Sequence, residues 1–237
     1  MNRTTLISIA AAIVVLVAVA GTTLYVNRPG VQEVSLEGTR DAVAVEAVPV
    51  SGDASGEWVV DTTIGEFDVL EATSSFVGFR VEENLLGVGD TEAVGRTPAV
   101  RGQMTVEGTT LTATAVEADF GQMVSDISRR DGVMRRVIGG EANPVGSFTL
   151  SGPVDFGSVP VEGETVTTTA VGNLTVNGIT SPVEVALEAE LVGDNILVVG
   201  RSPVLFADHG IEAPLLGPVV TIEDNGVIEL QLWFTRA

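Results

Sequence analysis

The chain has no cysteine, no lysine, a single histidine, one tyrosine and an aromatic content of only 5% over its 237 residues. Without cysteine there can be no disulfide and no thiolate metal site. With one histidine and no carboxylates at the spacing of a calcium loop, neither a metal nor a cofactor is implied. The G-x-S-x-G, H-E-x-x-H and phosphate-loop patterns are also missing. His209 beside Asp208 in FADHGIEAP is the one pair suited to acid–base chemistry. A lone histidine on a loop flanked by Gly and Pro reads as structural, so no catalytic residue is assigned and an esterase or isomerase is disfavoured. The missing lysine makes all 12 cationic side chains arginines, set against 32 acidic residues for a formal net charge of −20. Repulsion by phosphate therefore excludes nucleic acid as a partner.

The N-terminus holds the one long hydrophobic run. Leu6–Val26 carries no charge, with Arg3 before it and Arg28-Pro29 after it. At 1.5 Å per residue it matches a bilayer core of about 30 Å, and Tyr25 stands where an interfacial aromatic belongs. Residues 1–28 are therefore expected to be a transmembrane anchor with the remainder outside the cytoplasm. The alternative is a secreted protein released by cleavage after Ala18-Val19-Ala20, but the apolar run continues past that motif. Residues 29–56 mix Pro, Gly, Ser and Glu without periodicity and read as a flexible linker spanning roughly 25–35 Å.

From Glu57 onward the pattern is β. Glu57–Asp61, Ser75–Glu82, Arg101–Val106, Leu111–Phe120, Ser147–Gly152, Thr165–Val176, Ile179–Val192, Asn195–Arg201 and Val227–Thr235 read as strands. Asn177-Gly178 is a strong two-residue hairpin signal. In the strand after it, Val183, Val185, Leu187, Ala189 and Leu191 alternate with Glu184, Ala186, Glu188 and Glu190, giving one buried and one wet face. Eight or more strands, mostly in hairpin order, predict an antiparallel meander closed into a barrel, since closure removes exposed edges. The interior of such a barrel holds side chains or one slender ligand.

One helix interrupts the strands, over Asp126–Ile138, and it carries four of the arginines: Arg129, Arg130, Arg135 and Arg136. Forked guanidinium hydrogen bonds suit phosphate or carboxylate, so these four and Asp131 are candidates for holding an anionic head group. The plainer alternative is a solvated helix face whose charges pair with Asp126, Asp131 and Glu141. Asp131 is expected to pin an arginine or a backbone amide.

GEWVVD, FVGFRV, RRDGVMRR, NPVGSFTL and NLTVNGITSPVEV, in this order over residues 57–236, resemble the YceI-like family of exported proteins. The resemblance implies an extended, lipocalin-like, eight-stranded antiparallel barrel with a short helical insert, spanning residues 57–237. It also implies a polyisoprenoid or similar long amphipathic lipid as ligand. Relatives often carry histidine two positions after the Arg-Asp pair and at the end of the second strand. This chain has Val133 and Glu82-Glu83 there, which leaves head-group contacts to arginine or backbone. Phe76, Phe79, Met104, Phe120, Met134, Phe148, Leu174, Leu187 and Phe206 are candidates to line a lipid tunnel, with Trp58, Met123 and Trp233 as further candidates. The few aromatics and many small residues favour an unfilled cavity. The reading is thus a membrane-anchored, non-catalytic, lipid-binding barrel. Its alternative is a structural or adhesion module with a filled interior.

Overall fold

The computed structural model of the protein describes residues 30–43, 54–138, 142–213 and 220–237. The expected anchor, Leu6–Val26, lies outside the described residues; among those described, no helix is long and apolar enough to cross a membrane. The chain order is α1 (Leu36–Ala42), β1 (Gly56–Asp61), β2 (Phe76–Leu85), β3 (Gly89–Thr97), β4 (Val100–Glu107), β5 (Thr110–Asp119), β6 (Val124–Ser125) and α2 (Ser128–Ile138). It continues with β7 (Val145–Leu150), β8 (Val154–Asp155), β9 (Val166–Val176), β10 (Ile179–Val192), β11 (Asn195–Leu205), β12 (Val220–Ile222) and β13 (Asn225–Arg236).

Eight of these strands close an antiparallel ring in the order β1-β4-β5-β7-β9-β10-β11-β13, with β13 returning to β1 from Trp58↔Arg236 to Asp61↔Trp233. The expected barrel is formed. Its β9–β10 corner is the Asn-Gly hairpin, with Asn177 at φ 53° and Gly178 at φ 75°, the two left-handed positions this turn requires. Strand β13 is long enough to be shared: Trp233–Arg236 pairs with β1, while Val227–Gln231 pairs with β2. The β2–β3 hairpin therefore extends the wall beyond the ring, and β12 and β6 add to its edges. Strand β3, GDTEAVGRT, has little apolar alternation and was not anticipated; its register against β2 creates it.

The linker expectation needs correction where the structure describes it. Residues 30–43 form a strap, including α1, lying against the outer face of β10, β11, β13, β2 and β3. Ser35 caps α1, its Oγ accepting from the Gly38 N–H at 3.2 Å. Val34 and Leu36 are buried with Phe76, Leu197, Val199 and Trp233 in a hydrophobic cluster outside the barrel. The Thr39 hydroxyl donates to Gln231 Oε1 at 2.6 Å, and Arg40 donates to both oxygens of buried Glu190 at 3.1 and 3.2 Å. An isolated helix this short is unstable in water; the apolar contacts and these bonds hold it.

Beneath the strap lies a buried charge cluster. Glu229, 1% exposed, accepts from Arg80 Nε at 2.6 Å and from Arg96 Nε at 2.8 Å. Both arginines also donate to the Gln32 carbonyl of the strap. Arg96 adds the Val69 carbonyl at 3.1 Å and stacks on the Phe76 ring, 4.4 Å from its centroid. Burial pulls the Arg96 pKa below its ordinary value against the opposing pull of Glu229. In Arg80 the same desolvation is outweighed by Glu229 and Glu92, and the pKa rises. Gly78 makes the cluster possible. It lies in register between Arg96 on β3 and Glu229 on β13. A Cβ there would come within 2.9 Å of the Arg96 side chain and 2.6 Å of the Gly95 carbonyl.

Candidate functional site

The inward residues of the barrel leave space between them. At the end near β1 and the β10–β11 turn, a cavity of about 100 Å³ is bounded by residues such as Met104, Leu111, Leu187 and Ile196. A middle cavity of about 60 Å³ includes Phe120, Val183 and Ala118 in its wall. The largest of these three, about 290 Å³, lies under α2 and is lined by Phe79, Val81, Met134, Phe206 and Ile222. Phe148 and Val185 border both the first and the middle cavities, and Leu174 and Ile228 border both the middle and the largest. The three thus lie one after another along the barrel as an apolar path, neighbouring cavities sharing these side chains as walls, and the largest of them is close to the lower end of the about 300–1,000 Å³ usual for ligand sites. Gly172 helps set the path's shape. The Phe148 ring lies so close over it that a Cβ there would meet the ring at 2.3 Å.

Eight of the nine residues assigned to a tunnel border these cavities: Phe79, Met104, Phe120, Met134, Phe148, Leu174, Leu187 and Phe206. Phe76 does not. It lies on the outer face of β2 with Trp233, beneath the strap. Strand parity could have shown this, because Phe76 and Phe79 are three apart and point to opposite faces. Trp58 and Met123 are fully buried but outside the walls of these three cavities.

At the α2 end of the path Glu83, Arg129, Arg130 and His209 enter the wall; at the opposite end one carboxylate, Glu190, borders the first cavity and is held by Arg40. Helix α2 is placed by Asp131, whose Oδ1 accepts from the Ser125 backbone N–H at 2.9 Å and the Ser125 hydroxyl at 2.6 Å. Since β6 pairs with β3, this bond fastens the helix to the barrel wall. Arg135 adds a second tie, donating from Nε to the Met123 carbonyl at 2.7 Å. Arg130 then points inward and donates to Glu83 Oε1, with Asp126 Oδ1 at 3.6 Å from its Nη1. The Thr91 hydroxyl also donates to Glu83 Oε1, at 3.2 Å. Arg129 is exposed at the rim, and Arg136 is exposed away from the cavity wall.

The five head-group candidates are therefore divided: Arg130 in the wall, Arg129 at its edge, Asp131 and Arg135 holding the helix, Arg136 in solvent. The resemblance marks Glu82-Glu83 as a place where relatives carry histidine, but Glu83 is not among the head-group candidates read from the sequence. It shares the parity of Val77, Phe79 and Val81, which marks the inward face. His209 is 2% exposed, with Nδ1 3.2 Å from the Ile179 carbonyl oxygen. It is both structurally held, as its loop context implied, and part of the cavity wall. Among the described residues, no group of three or more His, Cys, Asp or Glu is arranged to hold a metal.

Comparison with known proteins matches residues 69–234 to the model of the YceI-like domain. The chain belongs to the YceI-like family. The match leaves the strap and β1 outside its span. No curated protein sequence matches the chain. Among solved structures, one similar to this YceI-like chain is a polyisoprenoid binding domain from Saccharophagus degradans implicated in plant cell wall breakdown. It is 18% identical with a TM-score of 0.57, over 76% of this chain and 98% of that one. Another is BcnA of Burkholderia cenocepacia, 16% identical with a TM-score of 0.50, over 67% of this chain and 95% of that one. At these identities the likeness is one of fold.

Proposed function

We propose that this YceI-like barrel is a non-catalytic carrier of a long apolar lipid of the polyisoprenoid type, held outside the cytoplasm by the N-terminal segment. The observation that carries the reading is the succession of apolar cavities along the barrel, with a cluster of polar side chains at the α2 end. A slender isoprenoid tail fits a narrow apolar path, and an amphipathic molecule needs polar partners at one end only. A structural module would have no need of this space, and unfilled apolar cavities cost stability. The polyisoprenoid-binding neighbour of the same fold supports the ligand class.

The strap supports the placement. Its start is fixed at the β2–β3 part of the wall, where Arg80 takes the Val31 and Gln32 carbonyls. Its far end lies by Glu190 on β10, at the opposite end of the barrel. The described chain thus begins near the cavity under α2. Leu86, 71% exposed, caps the β2–β3 hairpin at that same end. An anchor at Leu6–Val26 would hold this mouth close to the bilayer.

Organic extracts of the purified full chain, analysed by mass spectrometry, should contain a stoichiometric isoprenoid lipid. Absence of any lipid, together with no uptake of added polyprenol, would exclude the carrier reading. The mature protein should retain its N-terminal segment and fractionate with membranes; an N-terminus at Gly21 would instead mean a secreted domain.

A further inference from the structure

We propose that the polar end of the path selects a lipid with an uncharged head, an alcohol or a carbonyl, over a phosphorylated one, and that Glu83 makes this choice. The inference rests on the lipid-carrier reading and specifies its ligand. Four arginines in and around α2 invite the opposite expectation, a phosphate site, and the geometry of each argues against it. Arg130 is the guanidinium of α2 set inward in the cavity wall, partly buried, and it is already directed at a carboxylate. It donates to Glu83 Oε1 and has Asp126 at 3.6 Å. Arg130 is thus already engaged by two carboxylates, one of them Glu83 in the cavity wall.

A phosphate brought to this wall would have to displace Glu83 from Arg130 or sit beside it as a like charge in a medium of low dielectric. Glu83 does not move readily. It is buried in the β2–β3 hairpin, and the Thr91 hydroxyl holds the same oxygen that Arg130 takes. Arg135 is turned to the Met123 carbonyl. Arg129 is at the rim, exposed, where solvent and salt screen its charge. An uncharged head meets none of this repulsion. The Glu83 carboxylate accepts from a hydroxyl, and the Arg130 guanidinium, with several N–H groups, can donate to a hydroxyl or carbonyl oxygen.

The test is a competition for the full chain in detergent between a polyprenol and its monophosphate of the same chain length, read by native mass spectrometry. The unaltered protein should take the polyprenol by about tenfold or more, the scale expected when a like charge is buried nearby. Glu83→Gln keeps the shape and a hydrogen bond to Thr91 but removes the charge. It should shift the ratio of monophosphate to polyprenol binding by about tenfold toward the monophosphate. Equal or stronger binding of the monophosphate by the unaltered protein would overturn the proposal while leaving the carrier reading intact. Failure to bind either lipid would overturn both. The comparison in the unaltered protein needs no variant, so it stands even where Glu83→Gln is poorly folded.

Discussion

Two groups of arginines stand in contrast in this molecule. In α2, four arginines crowd a single helical segment, and only Arg130 forms a partly buried ion pair in the cavity wall. Beneath the strap, Arg80 and Arg96 come from different strands and meet Glu229, which is 133 positions along the chain from Arg96. That second group is almost wholly buried and binds the strap to the barrel. The difference teaches that charge density along a chain is a weak guide to where charge matters. A contiguous cluster on a helix spreads around its circumference, and most of it reaches water. Charges that sheet register places side by side on a covered face have no such escape, so each must be paired.

This contrast can be broken by experiment. The largest effect should come from Glu229→Gln, which leaves two buried guanidinium groups without their shared carboxylate. A loss of about 3–5 kcal/mol in denaturant unfolding is expected, with the strap becoming accessible to protease. A loss below about 1 kcal/mol would mean that the remaining partners, Glu92 and the Val31 and Gln32 carbonyls for Arg80 and the Gln32 and Val69 carbonyls for Arg96, suffice. A smaller effect should follow Gly78→Ala, since the added methyl must push Arg96 and the neighbouring strand aside; about 1–3 kcal/mol is expected from the same measurement. No change there would show that Arg96 can reach Glu229 by another route. The smallest should be Arg136→Gln, within about 0.5 kcal/mol. A larger loss would place Arg136 among the structural arginines and weaken the distinction between the groups.

Much of the barrel was legible in the chain. The alternation in β10, the Asn-Gly turn before it and the spacing of strands on either side follow from local rules of pleat and turn. The structure returns Ile179–Val192 with the bounds those rules predict. Most of the cavity-lining candidates follow from the same alternation, whereas Phe76, Trp58, Met123 and Trp233 lie outside the walls and Glu83 within them. The strap was not legible, because LEGTRDA is too short and too polar to announce a helix. Only Ser35, a good cap, and the Val34–Leu36 pair hinted at one. Strand β3 was missed likewise: its residues are strand-like only once β2 supplies the partner.

The sequence by itself determined that the domain is β, which faces of its better strands turn inward, and that one basic helix interrupts the strands. These are short-range properties, set by the two-residue period of a strand and the 3.6-residue period of a helix. Tertiary structure alone decided that β13 serves two partners, that residues 30–43 lie on the wall rather than swing free, and that Glu83 meets Arg130 at the cavity's polar end. Each of these joins residues far apart in the chain. Their energies come from register and burial, which exist only after the sheet has closed.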